Sequence, residues 1–182
     1  MTETIDRVFF LPNYASQFYN PNDAVYMGKK RWIQSVQMAE GIVQKLDIKK
    51  TDTILELGCS SGYQASLLSL YCRAVYTVDN NLEILKNARE TFNRLEIKNI
   101  HTIHAPSYNN LQINDKFDRI VLSFAVNSVD EYIELLSDNG MLIVPLMEEN
   151  DFQLLTLFTK SHSGLITEYL KPCIFLKMED MY

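Results

Sequence analysis
From residue 30 onward, short apolar runs alternate with longer amphipathic stretches, and the spacing within each block predicts its backbone. Thr53 to Leu57, Ala74 to Asp79, Phe117 to Ser123 and Met141 to Leu146 are brief and largely apolar, which predicts strands, and Asn99 to His104 is expected to add another. Trp32, Val36, Ala39, Val43 and Leu46 recur at spacings of four and three, so residues 30–46 are expected to form a helix with one buried face. Tyr63 to Tyr71 reads as a short buried helix, and Leu82, Leu85, Ala88, Phe92 and Leu95 mark the apolar stripe of a longer one. Val129 to Leu136 is a further helix, stopped by Asp138-Asn139-Gly140. Phe152 to Thr159 and Leu165 to Leu176 flank Ser161-His162-Ser163-Gly164, a turn composition between extended runs that signals a hairpin. Five parallel strands with helical crossovers, followed by that hairpin, predict an α/β fold with a seven-stranded mixed sheet and an antiparallel edge.

The stretch Thr53-Ile54-Leu55-Glu56-Leu57-Gly58-Cys59-Ser60-Ser61-Gly62-Tyr63 adds chemistry to this plan. A strand runs into a tight turn and then a helix, with two glycines free to let a ligand lie against the main chain. A G-x-x-x-G after a strand is weak by itself, because many such turns need glycine for geometry alone. Asp79, 21 positions after Gly58 at the end of the next strand, sharpens it. An acid about 20 residues on is placed to accept hydrogen bonds from ribose hydroxyls, so a nucleotide-like ligand is expected.

With 182 residues, 47% of them apolar, the chain suits one domain: an arm over 1–28, a Rossmann-like core over 29–150 and a terminal hairpin over 151–182. The arm is rich in aromatics (Phe9, Phe10, Tyr14, Phe18, Tyr19, Tyr26) without helical periodicity, and reads equally as a lid over the ligand or as a strap completing the core. A net charge of -6 argues against a nucleic-acid partner. Cys59, Cys72 and Cys173 cannot all pair and lack metal-ligand spacing, and no apolar run is long enough to span a membrane, so a cytoplasmic protein without a metal is expected. Cys59 reads as a small residue chosen for space, His101 and His104 as histidines outside any ligand cluster, and Glu148 to Asp151 as a solvated acidic run.

The order of elements is similar to the class I S-adenosylmethionine-dependent methyltransferase fold, and particular residues carry a narrower likeness. Asp6-Arg7-Val8-Phe9-Phe10-Leu11-Pro12, Met27-Gly28, Ile54 to Gly58 with Ser61-Gly62-Tyr63-Gln64-Ala65, Phe117 to Val121 and Asn139 to Pro145 together resemble protein L-isoaspartate O-methyltransferases over nearly the whole chain. The resemblance implies methyl transfer from S-adenosylmethionine to a carboxylate of damaged, isoaspartyl-containing protein or peptide. It implies cofactor contacts at Glu56, Gly58, Cys59, Ser60, Gly62, Asp79, Asn80, His104 and Ala105, and an acceptor-orienting residue at Gln34 or Ser35.

Three positions depart from that family. Gln34 stands at the serine that lies over the reacting carboxylate, with Ser35 one residue on; Ser60 replaces the middle glycine of the turn; Ala105 and Pro106 replace an aspartate-glycine suited to the adenine amino group. The alignment favours Gln34 over Ser35 as the residue facing the methyl group. Modest cofactor affinity and weak transfer to isoaspartyl peptide are the expectation. A methyltransferase with another acceptor and a non-catalytic, partner-binding relative are the alternatives.

Overall fold
The computed structural model describes residues 5–15, 19–109, 111 and 113–182. Seven strands form one sheet: β3 (Thr53–Leu57), β4 (Ala74–Asp79), β5 (Ile100–His104), β6 (Phe117–Leu122), β7 (Leu136–Met147), β8 (Gln153–Ser161) and β9 (Gly164–Pro172). Their spatial order is β5-β4-β3-β6-β7-β8-β9, with β5 through β7 parallel and β8 and β9 antiparallel at the edge. This is the mixed sheet and terminal hairpin expected from the pattern.

Both faces of the central strands are covered, which is why they read as continuous apolar runs. Alternation along β3 sends Ile54 into one core, with Ala39, Ile42, Leu68 and Phe92, and sends Leu55 and Leu57 into the other, with Tyr108, Ile120, Phe124 and Tyr132. Helices α1 (Val36–Lys45), α2 (Tyr63–Ser69) and α3 (Leu82–Arg94) supply the first core and α4 (Asp130–Glu134) part of the second. Arg119, buried on β6, fixes the approach of α1: its guanidinium donates to the carbonyls of Leu46 and Asp47 and pairs with Asp52 at 3.2 Å.

Three expectations are corrected. The helix expected over 30–46 is a strand, β2 (Arg31–Ile33), followed by α1 from Val36. Ser35 caps α1 by accepting from the Met38 amide at 3.2 Å, and β2 pairs with β1 (Val25–Gly28). The helix expected over Val129 to Leu136 is only Asp130–Glu134, because Leu136 already pairs with Phe117 and β7 runs through Asp138-Asn139-Gly140. Gly140 fits there only without a side chain, a Cβ lying 2.9 Å from the Ser137 carbonyl. The last strand ends at Pro172 rather than Leu176, since the buried Gln153 amide bonds both the N–H and the carbonyl of Phe175 and turns the chain back.

Of the two roles expected for the arm, its contacts are those of a strap. Phe10 is buried against Tyr63, with ring centroids 5.5 Å apart, and buried Arg7 holds the carbonyls of Asp23 and Ile33. Phe18 lies outside the described residues. Among the described residues no helix is long and apolar enough to cross a membrane, and no group of three or more His, Cys, Asp or Glu is placed to hold a metal ion.

Candidate functional site
The site lies at the carboxyl ends of β3 and β4, where the chain leaves the sheet through the glycine turn. The amides of Gly58 and Cys59 both donate to the Val78 carbonyl, at 2.9 and 3.2 Å, so the turn folds over the neighbouring strand. Gly62, at φ +84°, starts α2 where a Cβ would lie 2.5 Å from the Phe92 ring, so glycine is what lets α3 pack on the turn. Ser60 takes the same left-handed region at φ +50°, and its hydroxyl donates to the Trp32 carbonyl at 2.8 Å, tying the turn to β2. Behind the turn, fully buried Glu56 accepts from the Thr77 hydroxyl through Oε2, while its Oε1 has no partner. Burial pushes the Glu56 carboxyl up to about 8; the Thr77 hydrogen bond opposes that rise and the Asp79 charge adds to it. Burial, and then the Glu56 charge, push the Cys59 thiol up as well, which favours the thiol over the thiolate.

Asp79 stands where an acid for ribose was expected, but its carboxylate is already fully engaged. Oδ1 accepts from Arg31 Nη2 at 2.7 Å and the Asn81 amide at 3.0 Å; Oδ2 accepts from Arg31 Nε at 3.2 Å and the Ser60 amide at 3.3 Å. Both members of this ion pair are buried, Arg31 at 2% and Asp79 at 0% exposure. The guanidinium also donates to Asn80 Oδ1 at 2.6 Å and, through Nη1, to the carbonyls of Lys30 and Met181 at 3.0 and 3.3 Å. Asn80 in turn donates from Nδ2 to the Met181 carbonyl at 3.2 Å.

Beside this pair the Tyr182 hydroxyl accepts from the Tyr108 amide at 3.0 Å and meets Ser107 Oγ at 3.2 Å. The His104 ring reaches the Asn80 carbonyl at 3.2 Å, and Ala105 donates its amide to the Asp79 carbonyl while its methyl packs into the core. Met181 is buried, its methyl 3.6 Å from where a Gly58 Cβ would stand.

What remains open is a mostly apolar cavity of about 310 Å³ against Gly58, Ser60 and Ser123, walled by Trp32, Gln34, Met181 and the Ile174–Leu176 stretch. That is near the lower end of the range, about 300 to 1,000 Å³, in which ligand pockets fall. An adjoining space of about 20 Å³ touches Glu56 and Gln64, and both have an orphan Oε1. It is large enough for about one water, which those two oxygens would engage.

Of the expected site residues, the structure brings together Glu56, Gly58, Cys59, Ser60, Gly62, Asp79 and Asn80, with His104 and Ala105 one strand further out. Gln34 lines both cavities; Ser35 lines neither, because its hydroxyl is committed to the cap of α1. Sequence reasoning missed Arg31, Tyr108, Ser123, Ile174 and Met181. Only Arg31 left a trace, as the last of three successive basic residues in a stretch otherwise bound for the core.

Sheet order, glycine turn and strand-end acid define a class I S-adenosylmethionine-dependent methyltransferase fold. The model of the protein-L-isoaspartate(D-aspartate) O-methyltransferase family matches residues 1–181, and the chain belongs to that family. It is 29% identical over 180 residues to a protein-L-isoaspartate O-methyltransferase of Helicobacter pylori, covering 98% of this chain and 86% of that one. It is 29% identical over 179 residues to that of Fervidobacterium nodosum, covering 96% and 89%. A solved structure titled protein-L-isoaspartate O-methyltransferase superposes with a TM-score of 0.81 at 22% identity, over 95% of this chain and 58% of the other.

The cradle for such a cofactor is present, but the adenosyl half does not fit the residues as arranged. A carboxylate offers about four acceptor positions, and the four on Asp79 are taken within the chain itself. Met181 and Tyr182 fill the space beside them.

Proposed function
We propose that this chain is an S-adenosylmethionine-dependent carboxyl O-methyltransferase acting on isoaspartyl protein or peptide, in the cytoplasm. The observation that carries the reading is family membership over residues 1–181 together with a turn, a strand-end acid and an adjoining cavity that all lie at the ends of β3 and β4. The acceptor carboxylate, with an ordinary pKa near about 4, is ionised at neutral pH and needs no general base. The chain's part is therefore to orient that carboxylate and exclude water. Gln34, which lines the cavity together with Ser60 and Ser123, is the residue assigned here to donate from its amide to the acceptor, with Trp32 and the Ile174–Leu176 stretch as apolar walls.

The buried Arg31–Asp79 pair favours one second reading, a relative that binds a partner without catalysis. Incubation with labelled S-adenosylmethionine and an isoaspartyl peptide, against its aspartyl isomer, separates the two. Slow, isomer-selective formation of a methyl ester is expected, rising in Gln34→Ser, whose shorter side chain leaves room for the acceptor. Absence of transfer in the native chain, in Gln34→Ser and in Arg31→Ala alike would overturn the enzyme reading in favour of the second.

A further inference from the structure
Arg31 is the member of the site that methyl transfer does not require, and its contacts are too specific for a bystander. Five donations reach Asp79, Asn80, Lys30 and Met181, and all of them close the same end of the site. Its position is enforced twice over. The Ser60 hydroxyl holds the next residue's carbonyl, and the Met178–Met181 turn covers the guanidinium from the other side. Lys30 extends the clasp by donating to the Tyr182 carbonyl at 2.7 Å.

We infer that Arg31 is an internal ligand of the ribose subsite: it occupies Asp79 from within the chain, and an adenosyl cofactor binds only to a form in which Arg31 has left that carboxylate and Met181 and Tyr182 have moved aside. The inference rests on the methyltransferase reading and adds to it a latch that competes with the donor. Removing one partner of a buried pair strands the other's charge, so the closed form is strongly preferred. The affinity of a ligand that selects the open form is reduced by the fraction of molecules that are open. Ser60 belongs to the same device. In this left-handed position glycine would be less strained, and it would not hold β2 over the turn.

The test is calorimetric titration of the full chain with S-adenosylhomocysteine. Arg31→Ala is expected to bind at least about tenfold more tightly than the native protein, because the ribose hydroxyls then meet a free carboxylate. Should Arg31→Ala fail to fold, Ser60→Gly keeps the ion pair, loosens only β2, and is expected to tighten binding in the same direction. Trp32, the single tryptophan, reports on the native protein directly: it lies next to Arg31 and is half-exposed, so its emission should shift as ligand binds.

Native and variant affinities that agree, with no change in Trp32 emission on saturation, would overturn the latch. The methyltransferase reading would survive that result wherever isoaspartyl transfer is observed. If neither the native protein nor either variant binds at millimolar ligand, the latch and the methyltransferase reading both fall.

Discussion

Glu56 is the group whose replacement most directly probes the electrostatics of the site. It is fully buried, and its ordinary value of 4.5 rises to about 8, so between those values the folded protein holds a proton that the unfolded chain has released. The unfolded state then binds fewer protons, and stability falls as pH rises through that window, levelling off only above about 8. At about 1.4 kcal/mol per pH unit the whole excursion is worth up to about 5 kcal/mol. Glu56→Gln removes the titration and keeps an acceptor for the Thr77 hydroxyl, at the expense of amide donors that must find the water-sized space beside Gln64. Near pH 5 the variant should therefore be equal to the native protein or less stable by about 1 to 3 kcal/mol. Near pH 8 it should be the more stable of the two. Urea unfolding across that range, with the slope m checked for constancy, measures the difference. Two stability curves that stay parallel from acid to base would refute the burial argument for Glu56.

Gly62→Ala drives a Cβ into the Phe92 ring at a positive φ, and an equilibrium melt should record a loss of at least about 2 kcal/mol. Ser35→Ala should lose about 1 kcal/mol of stability as the cap of α1 goes, while the rate of methyl transfer per folded molecule stays unchanged. A drop in that rate beyond the loss of folded protein would return Ser35 to the acceptor site.

The central parallel strands β3, β4 and β6 were legible because burial on both faces leaves them largely apolar, and the glycine turn because its backbone needs are local. β2 was not. Its three residues, Arg31 to Ile33, begin an apolar spacing that continues into α1, so Trp32 and Val36 look like one helical face although the chain bends at Ser35 between them. Ser35 itself carried the signal of a cap, three residues ahead of an amide it could satisfy. Arg31 left only a faint trace for a different reason: a charged side chain reads as solvated unless its partner is known, and its partner lies 48 positions away. The last strand was overextended because nothing local foretells that Gln153 will claim both backbone groups of Phe175.

Among the described residues no strand lies beyond β9 in the sheet, and β9 exposes Leu165, Ile166 and Tyr169. Such an edge is a template on which another chain's backbone can zip up, and what stands against that here is the charge on Glu168 and Lys171 and the missing donor of Pro172. Glu168 is further held by Lys45 at 2.9 Å, across the corner where α1 meets the edge. These three residues act as gatekeepers for solubility: neutralising Glu168 and Lys171 together would leave catalysis and folding largely as they are while making the protein prone to concentration-dependent fibre or oligomer growth from this one strand.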